Sequence, residues 1–275
     1  MKVRRFASFP VILVLLVIAF EYYGTVFILI KSWLGLRSCA GSWNGIIYTL
    51  VAFLAVVSFV ACVLTEPGHV PSGYVPDVEN RPLGDQDPNA SGQQLKQCDK
   101  CHTYKPPRAH HCRICRRCIL RMDHHCVWIN NCVGHWNYKS FVNLVFYATV
   151  GSLYTTVMII WCALQEGLDF TESTALKPLY VAYGILAVAL NLVLGTLLGW
   201  HIYLILHNMT TIEYYESTRA AWLARKTGQN FRHPFNLNFY KNVTLILGPN
   251  MLKWLCPTSV SHLKDGTSYP TIRDS

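Results

Sequence analysis

Four long apolar stretches constrain the fold of this chain more than any other feature of its sequence. They cover residues 10–30, 45–64, 140–164 and 179–206. Each holds roughly 20 or more residues, enough at ~1.5 Å per residue for a helix to cross a ~30 Å hydrocarbon layer. Because backbone groups in lipid must satisfy one another, each stretch is predicted to be a transmembrane α-helix. The sequence therefore predicts an all-α integral membrane fold with four transmembrane helices.

The composition agrees with this class. Hydrophobic residues make up 52% of the chain and charged residues 14%, and the net charge is +9. A basic balance is also typical of nucleic-acid-binding proteins, but the apolar stretches argue against nucleic acid as a partner. The positive charge instead suits anionic lipid headgroups or a phosphate-bearing ligand.

The first apolar stretch contains one acidic residue, Glu21. A cleaved signal peptide is the alternative interpretation of this stretch, but it is long and no small-residue cleavage site follows it. An ionised carboxylate in the bilayer is costly, so we expect Glu21 to face the helix bundle, protonated or paired. A place in the lining of a substrate cavity is the alternative.

The basic residues between the spans indicate their orientation. Lysine and arginine are concentrated in three segments: the N-terminal segment 1–9, the central segment 65–139 and the tail 207–275. The two remaining loops, 31–44 and 165–178, hold only Lys31, Arg37 and Lys177 of the 24 such residues. Since positive loops stay in the cytosol, the three basic segments are predicted to be cytosolic. Glycosylation of the sequon at Asn89 would contradict this orientation.

A dense cluster of cysteine and histidine lies in the central segment. Seven of the 11 cysteines and five of the 11 histidines fall between Cys98 and Cys132, in a domain expected over about 96–139. Because the cytosol keeps thiols reduced, the cluster predicts metal binding rather than disulfides. Two tetrahedral zinc sites need eight ligands, which six cysteines and two histidines can supply if Cys126 is spared. The spacing leaves the choice of histidines open.

The spared thiol would follow an acid and two histidines, Asp123-His124-His125-Cys126. A thiol with a pKa near ~8.5 is mostly protonated at neutral pH. A neighbouring imidazole can remove its proton, and a carboxylate can orient that imidazole. Adjacent positions do not guarantee contact, however. On spacing alone, a purely structural zinc module is an equally good interpretation.

These motifs together resemble the DHHC protein S-acyltransferase (palmitoyltransferase) family, over nearly the whole chain. The residues that carry the resemblance are Cys98-x2-Cys101, His110-His111-Cys112, Cys115, Cys118, Asp123-His124-His125-Cys126 and Cys132, with Thr210-Thr211-Ile212-Glu213 and Phe239-x2-Asn242 after the fourth span. Two positions depart from the family pattern. Glu66 stands where the family usually has aspartate, and Val127 where many members have proline.

The resemblance implies a ligand set and catalytic roles. The two zinc sites would comprise Cys98, Cys101, His111 and Cys118 in one, and Cys112, Cys115, His125 and Cys132 in the other. Cys126 would be the nucleophile, His124 its base and Asp123 the residue that orients His124. The supporting residues would be Thr210, Thr211, Glu213 and Asn242. Of these, Thr211 or Thr210 is expected to hydrogen-bond Asp123, and Asn242 to satisfy buried backbone groups.

The implied reaction is a two-step thioester exchange. A long-chain acyl group would pass from palmitoyl-CoA to Cys126, and then to a cysteine of a cytosolic-facing membrane or peripheral protein. The predicted CoA phosphate contacts are Lys105, Arg108 and His110, and Trp128 is predicted to cover the thioester. Four residues of the third span, Phe141, Leu144, Ala148 and Gly151, recur at helical spacing and are placed to line an acyl cavity.

Family habit suggests the Golgi or a neighbouring endomembrane as the compartment. The alternative function, from a different class, is a catalytically inert, zinc-stabilised membrane scaffold.

Overall fold

Four long helices dominate the computed structural model, which describes residues 6–76, 97–166 and 177–273. They are α1 (Phe9–Trp33), α2 (Cys39–Leu64), α3 (Tyr138–Glu166) and α4 (Lys177–Leu206). All four are long and apolar enough to cross a membrane, with apolar portions of 25 to 28 residues. The prediction of a mostly helical fold with four candidate membrane helices is therefore confirmed. The sequon at Asn89 lies outside the described residues.

The loop predicted over 31–44 is shorter in the structure. Helix α1 continues to Trp33, and α2 begins at Cys39 instead of residue 45. The physical reason lies at Ser38, whose Oγ accepts a hydrogen bond from the Gly41 amide at 2.9 Å. A serine that caps the first turn stabilises a helix start, so the apolar pattern alone placed this boundary too late.

The chain falls into two compact units. The helical unit comprises Met1–Leu64, Ser140–Tyr203 and Leu255–Thr258. The cysteine-rich unit comprises Thr65–Lys139, Leu204–Trp254 and Ser259–Ser275.

A buried polar network joins all four helices of the helical unit. Thr25 of α1 hydrogen-bonds Thr155 of α3 at 2.8 Å and Tyr183 of α4 at 2.7 Å. The hydroxyl of Thr155 also lies 3.3 Å from the Tyr48 hydroxyl of α2. Hydrogen bonds of this kind between membrane helices add to packing in fixing their register.

Glu21 faces the interior of the helical unit, as predicted. Its side chain is buried, and the Tyr183 hydroxyl donates to its backbone carbonyl at 3.0 Å and lies 3.4 Å from its Oε2. Three residues further on, α1 changes to a π-helix over Gly24–Ile30. A Cβ at Gly24 would lie 2.7 Å from the Tyr183 ring, so only glycine permits this packing.

Among the described residues of the cysteine-rich unit, four three-residue strands form two small antiparallel hairpins. Strand β1 (His110–Cys112) pairs with β2 (Arg117–Ile119), and β3 (His124–Cys126) pairs with β4 (Asn131–Val133). Among the described residues there, two small clusters of buried apolar side chains surround the candidate ligand cysteines. Such a module needs a further source of folding energy, which metal binding can supply.

The tail contributes two helices, α5 (Thr211–Lys226) and α6 (Phe239–Leu247), followed by a 3₁₀ turn (Met251–Lys253). The buried Lys139 Nζ donates to the carbonyls of Leu247, Lys253 and Ser259, each at 2.8 Å. One lysine thus holds three separate points of the tail within the cysteine-rich unit.

Candidate active site and metal centres

The first candidate metal centre contains Cys98, Cys101, His111 and Cys118, whose ligand atoms all lie within 4.8 Å of one another. The hairpin sets two of them face to face, because His111 and Cys118 are direct cross-strand partners. His111 Nδ1 lies 3.5 Å from Cys98 Sγ and 3.2 Å from Cys101 Sγ. Burial and the neighbouring thiols of Cys98 and Cys101 raise the pKa of Cys118, so ionising all three sulfurs requires a cation among them.

The second centre is built in the same way from Cys112, Cys115, His125 and Cys132. His125 and Cys132 are cross-strand partners of β3 and β4. His125 Nδ1 lies 3.6 Å from Cys112 Sγ, and 3.5 Å from the sulfurs of both Cys115 and Cys132. Strand β1 supplies His111 to the first centre and Cys112 to the second, so the two centres are interleaved.

The spacing of these atoms fits zinc. In a tetrahedral site with Zn–S near ~2.3 Å and Zn–N near ~2.0 Å, neighbouring ligand atoms lie about 3.5–3.8 Å apart. The Cys115 and Cys132 sulfurs are 3.5 Å apart, and those of Cys118 and Cys101 3.8 Å. Two groups with three sulfurs and one imidazole nitrogen each are compatible with two zinc ions.

The pleat of β3 separates Cys126 from the metal ligands. Successive side chains of a strand point to opposite faces, so His124 and Cys126 share one face and His125 takes the other. Cys126 belongs to neither ligand group among the described residues. Its cross-strand partner is the fully buried Asn131, which donates to the Thr65 carbonyl at 2.9 Å and accepts from the Cys132 amide at 3.0 Å.

His124 contacts both an acid and the thiol. Its Nδ1 lies 2.7 Å from Asp123 Oδ2, and it also hydrogen-bonds Cys126. Burial alone would lower the pKa of His124, but the hydrogen bonds with Asp123 and Cys126 raise it to about 9. A carboxylate, an imidazole and a thiol therefore meet in one place, which is the arrangement that activates a cysteine for nucleophilic attack.

The N-terminus of α5 holds the carboxylate of Asp123. The Thr211 amide donates to Asp123 Oδ1 and the Thr211 hydroxyl to Oδ2, both at 2.9 Å. The hydrogen bond expected from Thr210 or Thr211 is thus present, and Thr211 makes it. Amides of a first helical turn lack partners within the helix and favour negative charge, so α5 stabilises the ionised acid.

Thr210 and Glu213 form the capping box of this helix. The Thr210 hydroxyl accepts from the Glu213 amide at 3.2 Å, and Glu213 Oε2 accepts from the Thr210 amide at 2.8 Å. Asn242 satisfies backbone groups as expected: its amide nitrogen donates to the Leu206 carbonyl at 2.7 Å, and its oxygen accepts from the Leu237 amide at 3.1 Å. The first tail motif therefore contacts the cysteine-rich segment through Thr211 and Asp123, whereas Asn242 satisfies backbone groups at the end of α4 and within the tail.

The four residues predicted to contact CoA differ in their exposure. Arg108 is buried, with its guanidinium in an ion pair to Glu213, so its assignment to a CoA phosphate is corrected. Lys105 and His110 are half-buried, and Trp128 is 57% exposed two residues beyond Cys126. Lys105, His110 and Trp128 remain predictions.

An apolar cavity of about 520 Å³ lies in the helical unit, between α1, α3 and α4. Its walls include Leu29, Thr156, Tyr183 and Gly184. The residues predicted to line a cavity, Phe141, Leu144, Ala148 and Gly151, do not line this one. Helical spacing identified a face of α3 but not the depth at which a cavity opens.

The structure gives roles to two residues for which the sequence predicted none, Asn137 and Glu66. Asn137 accepts from the Gly134 amide and donates to the Cys132 carbonyl, each at 2.9 Å, and so braces the end of β4. Glu66, at the departure from the family pattern, forms an ion pair with Arg117 at 2.7 Å. The polar run Gly134-His135-Trp136-Asn137 just before an apolar helix was the available signal for buried structural residues.

Membrane-length helices, two zinc-compatible centres and a cysteine next to an acid–histidine pair together define a class, the zinc-stabilised membrane enzymes. Residues 91–218 match the DHHC palmitoyltransferase family. The chain is 54% identical to the probable protein S-acyltransferase 15 of Arabidopsis thaliana, over 93% of this chain and 99% of that one. It is 47% identical to the probable protein S-acyltransferase 16 of the same plant, over 98% and 94%.

A more distant relative is the human palmitoyltransferase ZDHHC3, which is 33% identical over 71% of this chain and 68% of that one. The chain belongs to the DHHC palmitoyltransferase family.

Proposed function

We propose that this protein is a protein S-acyltransferase that carries the acyl group on Cys126. The observation that supports this most strongly is the hydrogen bond of 2.7 Å between Asp123 and His124, with Cys126 on the same face of β3 as His124. The membership of the DHHC family supports the same activity. The two zinc ions, when bound, brace the hairpins that present these residues and take no part in the chemistry.

The first step is acylation of the enzyme. His124 takes the proton of the Cys126 thiol, and the sulfur attacks the thioester carbon of a long-chain acyl-CoA such as palmitoyl-CoA. The bond from that carbon to the CoA sulfur breaks, and the CoA thiolate leaves with the proton. Asp123 holds the imidazole in orientation and stabilises its positive charge.

The second step returns the free enzyme. An acceptor cysteine of a protein substrate loses its proton to His124 and attacks the acyl carbon on Cys126, which leaves as a thiolate and regains a proton. One thioester replaces another, so no further energy source is needed. Lys105 and His110 remain candidates for the CoA phosphates, and Trp128 for a cover over the thioester.

The acceptors are proteins with a cysteine near the cytosolic face of the membrane. We place the N-terminal segment, the cysteine-rich unit and the tail in the cytosol, where thiols stay reduced, in the Golgi or a neighbouring endomembrane. Asn208 and Asn242, which also match the glycosylation sequon, are buried, in keeping with unmodified side chains. Glycosylation at Asn89 would refute this orientation.

The experiment that tests the activity is labelling of the purified full-length protein with a palmitoyl-CoA analogue, followed by hydroxylamine. We expect hydroxylamine-sensitive label on the wild type and none on Cys126→Ser. The control is Cys256→Ser, which removes an exposed thiol of the tail and should leave labelling intact. Equal labelling of wild type and Cys126→Ser would refute the nucleophile, and an unlabelled wild type would favour the inert scaffold.

A further inference from the structure

The buried arginine Arg108 has no role in the steps above, yet it is among the most completely bonded side chains of the described residues. Only 1% of its side chain is exposed. Its Nε and Nη2 donate to Glu213 Oε1 and Oε2 at 2.7 and 2.8 Å, and its Nη1 and Nη2 to the side chain and carbonyl of Asn208 at 3.1 and 2.8 Å. The two parallel bonds to Glu213 fix direction as well as distance.

Two aromatic rings enclose the same guanidinium. Its central carbon lies 4.5 Å from the ring centre of Phe235 and 5.0 Å from that of Tyr269. Tyr269 is itself held through its hydroxyl, 3.1 Å from His135 Nδ1. The guanidinium therefore has a defined position and no free edge for a solvent-borne phosphate.

Glu213 connects Arg108 to the first turn of α5, which contacts the candidate active site. Its carboxylate accepts from the Thr210 amide at 2.8 Å as part of the capping box, so Arg108 and the first turn of α5 share one anchor. The next residue in that turn, Thr211, supplies two hydrogen bonds to Asp123. A shift of the first turn would move both of these donors at once.

We propose that Arg108 is a positioning residue for acyl transfer: through Glu213 and the first turn of α5 it fixes the two Thr211 donors on Asp123. The inference rests on the proposed function of Cys126, His124 and Asp123. Arg108 touches neither the acyl donor nor the reacting thiol. It acts on the rate at which a bound donor reacts, and not on the binding of the donor.

The two possible roles of Arg108 predict opposite kinetics. A phosphate contact stabilises bound acyl-CoA, so its loss raises the half-saturating concentration. A positioning residue changes the maximal rate of Cys126 acylation, because displacement of a catalytic group by ~1 Å can cost about 100-fold.

The test is the rate of Cys126 acylation against palmitoyl-CoA concentration, with zinc content measured on the same full-length samples. For Arg108→Lys, which keeps the charge but loses the planar fork, we expect a maximal rate about 10- to 100-fold lower, an unchanged half-saturating concentration and two zinc ions per chain. The matched control is Arg116→Met. Arg116 also has a positive φ, of 52° against 66° for Arg108, but its side chain is exposed, and this variant should behave as wild type.

If Arg108→Lys loses zinc, Glu213→Gln replaces it. This nearly isosteric change can keep one oxygen for the Thr210 amide, and it removes the negative charge and the second oxygen that accepts from Arg108. The same kinetic pattern is expected. A variant with full zinc content and a wild-type maximal rate, or one with only a raised half-saturating concentration, would overturn the proposal.

A double-mutant cycle gives a readout that an independent structural role would not affect. If Arg108 acts through Thr211, the two substitutions affect the same contact. The fold-loss in maximal acylation rate of the double variant Arg108→Lys, Thr211→Val should then be smaller than the product of the two single-variant losses. Fully multiplicative effects would overturn the proposal. Its failure is distinct from failure of the proposed function, which would appear as unchanged labelling in Cys126→Ser.

Discussion

Two adjacent histidines, His124 and His125, lie in different environments because they belong to one strand. The pleat turns His125 toward Cys112, Cys115 and Cys132, and His124 toward Asp123 and Cys126. A ligand imidazole has no free nitrogen lone pair at its metal-binding atom, so of these two histidines the proposed mechanism assigns the base to His124. The alternation of a strand is thus the physical basis for two roles within two residues.

Alanine substitutions should separate these roles. We expect His124→Ala to lose at least about 100-fold in acylation rate, the usual size of general-base catalysis, with two zinc ions retained. His125→Ala should lose the second centre, and with it zinc and folded protein. Zinc analysis and labelling of both variants provide the measurement. Two retained zinc ions in His125→Ala would show that the histidines are assigned the wrong way round.

Single residues were predictable where their chemistry is distinctive. Clustered cysteine and histidine residues are typical of metal sites. The eight candidate ligands that the fold brings together are those that the family resemblance implies. The sequence predicts a CoA phosphate contact for Arg108, because an arginine in a basic loop is usually exposed. Its partner, Glu213, lies 105 residues away, and no local pattern reports such a pairing.

At the scale of elements, helix α5 links the tail to the candidate active site. Its capping box closes the first turn, and the freed amide of Thr211 reaches Asp123 together with the Thr211 hydroxyl. The helix therefore offers a buried carboxylate two donors and the positive end of its dipole.

Removing one of these donors should lower activity without unfolding the protein. Thr211→Val deletes the hydroxyl but keeps the amide, and the loss of a hydrogen bond to a charged group, about 1.5–3 kcal/mol, predicts a rate about 10- to 100-fold lower. Thr218→Val, an exposed threonine of the same helix, is the control. Acylation rates at saturating palmitoyl-CoA provide the comparison. A Thr211→Val rate equal to that of Thr218→Val would contradict this role of α5.

Elements with a strong periodic signal were predicted better than short ones. Apolar length identified four helices, although Ser38 starts α2 earlier than the apolar run does. Strands of three residues are too short for a period of two to stand out, so β1–β4 were not predicted from pattern. Their register depends on the metal ligands that they carry, which is a tertiary constraint.

For the whole molecule, the two units depend on different stabilising forces. The helical unit has long apolar helices joined by buried hydrogen bonds, whereas the cysteine-rich unit has small apolar clusters around two metal centres. Structural zinc contributes roughly 10–16 kcal/mol to the folding of small modules, which is at least comparable to the net stability of a typical domain, about 5–15 kcal/mol.

Removal of zinc should therefore inactivate the protein and leave its membrane helices in place. With a strong chelator we expect complete loss of acylation, release of two zinc ions per chain and only a modest fall in helical circular dichroism. The physical reason is that the helices of the cysteine-rich unit, α5 and α6, have 16 and 9 residues, whereas each of the four membrane-length helices has 25 or more. Acylation that survives full zinc release would contradict the dependence of the active site on its metal centres.

The most direct test of the account is to map the acyl group after brief incubation with palmitoyl-CoA and no protein acceptor. Mass spectrometry of the digested wild-type protein should find a single hydroxylamine-sensitive acyl group, on the peptide that contains Cys126. An adduct confined to other cysteines, with Cys126 unmodified, would contradict the account.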